Sequence, residues 1–329
     1  MINPKAYLNL KIFDPDVEQV ATRNGYGEGL VLAGEEDEQV VALSADLAES
    51  TRTHFFAEKF PQRFIEVGVA EQNLVTVAAG MALAGKVPFV SSFAVFSPGR
   101  NWEQIRTTVC YNDVPVKIIG SHAGLSVGPD GATHQALEDI ALMRCLPNMT
   151  VISPVDSIEA KKATLAIAKF PKPCYLRLSR NKIPVVTTED SPFKIGRAEV
   201  FHKGTDVAVI ATGQMVYKAL LAAKELKSSK ISVRVINCHT IKPLDQELVI
   251  KAAKDCGAIV TAEDHQVTGG LGGAVAEVLS QNFPVPLRII GIKDRFGESG
   301  ESDELFTKFG LTEKAIISAI KHLLKMKKK

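Results

Sequence analysis

The chain has 329 residues, 46% hydrophobic and 23% charged, the balance of an ordinary globular protein rather than a disordered or fibrous one. At roughly 150 residues per domain, this length predicts two domains with cores that need no disulfide or metal staple. Net charge is +2, but Lys325, Lys327, Lys328 and Lys329 supply four of the 39 basic residues, leaving 35 against 37 acidic ones. A body with that balance argues against nucleic-acid binding, which needs a basic face.

Short β-branched runs alternate with longer helical segments, the pattern of parallel sheets with crossover helices. The spacing predicts strands over 39–43, 64–67, 87–91, 114–119, 150–152 and 174–178, with helices over 70–84, 98–111 and 156–169. In the last helix Ile158, Leu165 and Ala166 face one way while Glu159, Lys161 and Lys162 face another. Residues 181–195 hold Pro184, Pro192 and mixed charge without either period, and mark a break. The rhythm restarts with strands over 206–211, 231–236, 258–262 and 287–290 and helices over 214–227, 244–255, 272–281 and 312–325. The resulting division is two α/β domains over 1–185 and 197–325, a linker over 186–196 and a basic tail over 326–329.

Five scattered cysteines, Cys110, Cys145, Cys174, Cys238 and Cys256, never form CxxC, and the start has no apolar core ahead of a cleavage site. Reduced thiols and a cytoplasmic address are the expectation. The longest uncharged stretches, 72–85 and 87–99, are separated by Lys86 and fall short of the ~20 residues of a membrane span.

Three segments can carry chemistry. In 64–74 (FIEVGVAEQNL) a strand ends at Val67, Gly68 turns, and an apolar helix opens near Ala70. Glu71 then sits in a helix's first turn at the carboxyl end of a parallel strand, where open α/β sheets bind ligands. A carboxylate there can equally do no more than complement the helix dipole. Past the next strand, Phe93 and Phe96 share a helical turn and offer a wall to an aromatic ring, or pack the core. The loop 121–135 (SHAGLSVGPDGATHQ) is long, glycine-rich and carries two histidines and an aspartate. Such loops are costly to order and are often functional. His122 and His134 fit no zinc spacing, so substrate contacts are expected rather than metal ligands, and no metal site. Residues 268–274 (TGGLGGA) resemble an anion cradle but match no nucleotide fingerprint, so close helix–strand packing is their expected role.

In order and spacing these segments resemble the thiamine-diphosphate-dependent transketolase family, specifically its C-terminal half, over nearly the whole chain. The strings are ATR at 21–23, SADL at 44–47, EVGVAEQN at 66–73, the Phe93/Phe96 pair and GPDGATHQ at 128–135. LSR at 178–180, ATG at 211–213 and DRFGESG at 294–300 continue the series. The resemblance implies a pyrimidine-binding domain, a parallel sheet with helices on both faces, followed by a transketolase C-terminal α/β domain. Three-domain members hold magnesium and the cofactor diphosphate through a GDG…N motif in a first domain, and no GDG occurs here. The chain therefore resembles the C-terminal subunit of a split enzyme. That implies an N-terminal partner holding Mg2+, an α2β2 assembly and a cofactor at the subunit interface.

Carried over residue by residue, Glu71 resembles the carboxylate on N1′ of the aminopyrimidine. A proton held between them favours the imino tautomer, whose 4′-nitrogen takes the proton from C2 of the thiazolium. Phe93 and Phe96 resemble the rings that wall the aminopyrimidine; a third aromatic usual in many members falls on Gly99. Asp46 resembles an aspartate near the cofactor. Arg23, Ser50, His122 and Arg180 resemble a clamp for the dianion of a sugar phosphate. Asp130 resembles the reader of sugar hydroxyl stereochemistry, and His134 the imidazole that assists at the reacting carbons. The implied reaction, in the pentose phosphate pathway, moves a two-carbon ketol unit from a ketose phosphate to an aldose phosphate.

Two enzymes share parts of the pattern. 1-Deoxyxylulose-5-phosphate synthases share the GxAEQ and DGxTH neighbourhoods. They tend to carry Asp-Arg-Ala-Gly where this chain has Ser121-His-Ala-Gly, and Cys where it has Gln135. The β subunit of a 2-oxoacid dehydrogenase also lacks the diphosphate domain, but needs no phosphate clamp. A non-catalytic regulatory subunit on the same fold would have no use for Glu71, Asp130 and His134.

Overall fold

Residues 40–44 (VVALS) carry no charge, as befits a strand covered on both faces. In the computed structural model, which describes residues 1–327, β1 (Gln19–Ala21) and α1 (Thr22–Glu36) lead into this run, which is β2 (Val40–Ser44). Two short helices, α2 (Ala48–Thr51) and α3 (His54–Lys59), precede β3 (Phe64–Glu66), α4 (Glu71–Leu83) and β4 (Val87–Phe93). A single turn, α5 (Trp102–Gln104), widens into a π-helix over Ile105–Cys110 before β5 (Lys117–Ser121). Then come α6 (Asp139–Arg144), β6 (Thr150–Ile152), α7 (Ser157–Ala168), β7 (Cys174–Arg177) and β8 (Lys182–Pro184). The second half holds β9 (Glu199–His202), β10 (Val207–Ala211), α8 (Met215–Lys227), β11 (Val233–Asn237), β12 (Thr240–Lys242) and α9 (Gln246–Cys256). It ends with β13 (Ile259–Gln266), α10 (Leu271–Asn282), β14 (Leu287–Ile292), α11 (Ser302–Lys308) and α12 (Glu313–Lys327).

The first sheet runs β12-β6-β7-β5-β4-β2-β3, parallel throughout except at β12. Alternation along β2 splits its core in two. Val41 and Leu43 pack toward Leu74, Val75 and Ala78 of α4, while Val40 and Ala42 pack toward Leu30 of α1 and Ala163 of α7. Helices on both faces explain why its strands read as unbroken apolar runs. The second sheet runs β14-β13-β10-β11-β9, antiparallel only at β9.

The halves exchange segments. β12 leaves the second half to pair with β6, and Ala6, Leu8 and Ile12 near the N-terminus join the core around β10. Asn3 donates from its backbone to Phe201 O (2.9 Å) and from its side chain to Val200 O (2.7 Å). α12 continues to Lys327, so the basic tail expected from 326 begins inside a helix, and Lys328 and Lys329 lie outside the described residues.

Among the departures from the sequence reading, two bear on the site. The helix expected over 98–111 starts only at Trp102, because Pro98 and Gly99 belong to a turn closed by Ser97 N to Phe93 O (2.8 Å) and Arg100 N to Phe96 O (2.8 Å). α1 carries four glycines, Gly25, Gly27, Gly29 and Gly34, which hid its helical period. The lack of a Cβ at Gly25 and Gly29 lets α1 lie backbone-to-backbone on α7, with a Cβ at Gly25 standing 1.8 Å from Ser157 O, while Gly27 and Gly34 admit the side chains of Phe55 and Phe56.

Gly25→Ala should therefore destabilise the fold. Helix propensity returns ~1 kcal/mol, but overpacking against an immovable carbonyl costs roughly 1–3 kcal/mol. Urea unfolding should show a lower midpoint; an unchanged or raised midpoint would refute the close-packing account.

Candidate functional site

Strands β7, β5, β4, β2 and β3 are neighbours in the sheet, and their carboxyl ends deliver the candidate residues to one edge. Arg180 follows β7, and His122 follows β5. Phe93 ends β4 and Phe96 follows it, Asp46 and Ser50 follow β2, and Glu71 opens α4 after β3. Arg23 is the second residue of α1. Parallel strands place their following loops on the same side, which is why residues far apart in sequence meet here.

Glu71 is only 1% exposed. Its Oε2 accepts from Arg100 Nη1 at 2.6 Å, and its carbonyl accepts from Asn101 Nδ2 at 2.9 Å. Its Oε1 accepts no hydrogen bond among the described residues. Arg100 also lies over Phe96, 4.7 Å from its ring centroid, and Phe96 is nearly parallel to Phe93, with centroids 5.9 Å apart. His134 meets Phe96 edge-on at 5.5 Å, and its Nδ1 contacts Thr133 Oγ1 at 3.0 Å.

His122 stacks on Phe93 at 3.9 Å. Its Nε2 is 3.2 Å from Arg23 Nη1, and its Nδ1 is 2.9 Å from Ser121 Oγ. A guanidinium can only donate, so Nε2 accepts and Nδ1 carries the proton toward Ser121. Burial, then Arg23, Arg180 and Arg52, push the His122 pKa down to about 3. Burial, then Arg52 and Arg180, lower that of Arg23 to about 10. Three guanidiniums thus crowd one neutral imidazole, while the carboxylate of Asp130 stands 3.7 Å from Arg180. An incoming anion would relieve that repulsion. Ser50 takes part through its carbonyl, which accepts from Arg23 Nη1 at 2.8 Å. Asp46 is exposed at φ 61°, its amide donating to Glu66 Oε1 at 2.7 Å. Arg23 and Arg180 also line a cavity of about 710 Å³, room enough for a small ligand.

The loop 121–135 is held from the second half of the chain. Leu125 N donates to Asp264 Oδ1 (3.1 Å), Gln214 Nε2 donates to Asp264 Oδ2 (3.1 Å), and Gln135 Nε2 donates to Glu298 O (3.0 Å). Arg177, buried, bridges Asp139 Oδ2 (2.8 Å) and Asp264 O (2.7 Å). Gly124, at φ +77°, passes so close that a Cβ there would lie 1.9 Å from Asp264 Oδ2. At 268–274 the expected packing is present, with a Cβ at Gly272 falling 2.6 Å from Ile289. The N-terminal amides of α10 are occupied by the chain's own Glu263, which accepts from Leu271 N (2.7 Å) and Gly272 N (2.8 Å).

Sequence reasoning missed Arg52, Arg100 and Asp264. Arg100 follows a Pro-Gly turn with no period to mark it. Asp264 did leave a signal, since three ionisable residues, Glu263, Asp264 and His265, end an otherwise apolar strand. Among the described residues no cluster of His, Cys, Asp or Glu could hold a metal ion, and no helix is long and apolar enough to cross a membrane.

Comparison with known proteins agrees with this layout. Residues 18–185 match the family model described as transketolase, pyrimidine binding domain, and residues 196–316 match transketolase, C-terminal domain. A Methanocaldococcus jannaschii protein named for a transketolase C-terminal section is 46% identical over 92% of this chain and 96% of its own length. The 6-deoxy-6-sulfo-D-fructose transketolase subunit SqwH of Clostridium sp. is 43% identical over 93% of this chain and 95% of its own. A solved structure titled as a split gene transketolase, inactive beta4 tetramer, superposes with a TM-score of 0.88 at 46% identity, covering 93% of this chain and 99% of that one.

The arrangement around His122 yields a direct expectation. Its folded pKa of about 3 lies below the ~6.5 of an unfolded histidine, so on acidification the unfolded chain takes up this proton first. His122 then contributes full stability above ~6.5 and loses it as pH falls toward about 3. Nitrogen-15 NMR should show one neutral Nδ1–H tautomer from about pH 5 to 8. Titration near neutrality would contradict the arginine cage.

Proposed function

The chain belongs to the transketolase family, and on that premise we propose that it is the C-terminal subunit that activates thiamine diphosphate and grips a sugar phosphate for two-carbon ketol transfer. The observation that carries this reading is Glu71, a buried carboxylate with one oxygen held by Arg100 and the other without a partner among the described residues, linked through Arg100 to the stacked Phe96 and Phe93. Those residues suit a planar aminopyrimidine with a ring nitrogen to protonate. When bound, thiamine diphosphate supplies the nucleophilic carbon and the electron sink of the reaction.

This chain's residues do the rest. Glu71 Oε1 holds a proton at N1′, and Phe93 and Phe96 exclude water from the ring's faces. Arg23 and Arg180 bind the terminal phosphate, and neutral His122 completes the clamp by accepting from Arg23 and so orienting its guanidinium. Asp130, close to Arg180, orients a sugar hydroxyl, and His134, edge-on to Phe96, moves a proton at the reacting carbons. The relative named for 6-deoxy-6-sulfo-D-fructose acts, by that name, on a sugar with an anionic end, which suits the same arginine cluster. The N-terminal partner supplies the diphosphate site and Mg2+, the two chains form an α2β2 enzyme with Asp46 near their shared cofactor, and the assembly works in the cytoplasm.

The test is reconstitution with the partner, comparing xylulose 5-phosphate plus ribose 5-phosphate against pyruvate plus lipoamide. Ketol transfer is expected in the first mixture; turnover only in the second would overturn the reading. Glu71→Ala should cut turnover by ~10²-fold or more. Arg23→Ala or Arg180→Ala should raise KM for phosphorylated sugars by roughly 10–100-fold while changing kcat less, as befits a lost charge-assisted bond.

A further inference from the structure

Residue 99 cannot carry a side chain. A Cβ built on Gly99 would stand 2.1 Å from Val95 O and 3.1 Å from Val95 C, both backbone atoms that have nowhere to go. The third aromatic wall that the resemblance places at this position is therefore excluded by the turn itself. The next residue occupies the neighbourhood instead. The Arg100 guanidinium carbon sits 4.7 Å from the Phe96 ring centroid, and its Nη1 reaches Glu71 Oε2 at 2.6 Å.

The turn grips Glu71 twice. Arg100 takes one carboxylate oxygen, and Asn101 Nδ2, which also contacts Ser97 Oγ at 3.1 Å, takes the backbone carbonyl. Glu71 is 1% exposed, whereas the Arg100 side chain is 49% exposed, so the pair joins a buried anion to a cation at the mouth of the site. With Oε2 taken by Arg100 in a pocket that covers the side chain, the other oxygen is the one left to meet a ligand. A guanidinium is also flat and stacks on an aromatic face, which an ammonium cannot reproduce.

We propose that Arg100 is a positioning residue for the cofactor: it fixes the Glu71 carboxylate with Oε1 free for the aminopyrimidine and, lying on Phe96, replaces the missing third wall. This rests on the reading that Glu71 meets the aminopyrimidine, and the experiment separates the two. The complex with the N-terminal partner is prepared as wild type, Arg100→Met, Arg100→Lys and Glu71→Ala. Each is titrated with thiamine diphosphate, and the near-ultraviolet circular dichroism of the bound aminopyrimidine tautomers is recorded. Arg100→Met should weaken cofactor binding by about tenfold or more and diminish the imino band, with KM for sugar phosphate unchanged. Arg100→Lys keeps the charge but not the plane, so it should retain the band and bind several-fold more weakly.

Wild-type affinity and an intact band in Arg100→Met would overturn the proposal. So would tighter binding, which would mean that the guanidinium obstructs the ring. Should Arg100→Met fail to assemble, Arg100→Lys decides by itself, and affinity equal to wild type would overturn it. If the wild-type complex binds no thiamine diphosphate, or Glu71→Ala leaves the band intact, the functional reading fails and the role of Arg100 falls with it.

Discussion

A carboxylate withdrawn from water must find a counter-charge or a hydrogen-bond donor, and in this protein that constraint is concentrated at Glu71. Its side chain is almost wholly covered, so the surrounding turn has to supply a partner. It does so with Arg100 and leaves the second oxygen unused, the state in which a carboxylate is ready to take a donor from a ligand. The glycine before Arg100, the asparagine after it and Phe96 are all placed by the same short connection after β4, which Phe93 closes. The partner of Glu71 therefore comes from one irregular loop, while Glu71 itself stands on α4 and Phe93 on β4.

The arginine cluster obeys the opposite logic. Arg23 and Arg180 approach a histidine that is itself buried, and the imidazole gives way by staying neutral. Neutral His122 can accept from Arg23 and donate to Ser121 at once, which an imidazolium could not do. Positive charge gathered with little carboxylate to balance it is a repulsion that an anion placed there would relieve.

The second half of the chain contributes no residue to the proposed chemistry, yet it determines where that chemistry sits. Asp264 accepts from the loop at Leu125, Arg177 ties Asp264 to Asp139, and Gln135 reaches the carbonyl of Glu298. A loop of this length without strands or α-helix has little local reason to hold one shape. Contacts from a separate sheet supply that reason, and the exchange of β12 and of the N-terminal residues keeps the halves in register.

Strand and helix periodicity made most of the parallel-sheet architecture legible, because apolar runs of a doubly covered sheet and amphipathic helices leave clear marks. The expected strand ends at Val67 and Ile119 likewise pointed to Glu71 and to the loop 121–135. α1 stayed hidden because its glycines, needed for close contact with α7 and with the side chains of Phe55 and Phe56, erase the helical pattern. The run 114–119 entered the sheet only at Lys117, since Pro115 lacks the N–H that a ladder requires. Which partner each polar group takes was never in the one-dimensional text. That Arg100 rather than a ring stands at the mouth of the site, that His122 is neutral, and that Asp264 holds a loop some 140 residues away in sequence all follow from distances and burial. Local sequence determines where the backbone can turn and which faces are apolar; only packing decides which charges are taken out of water together.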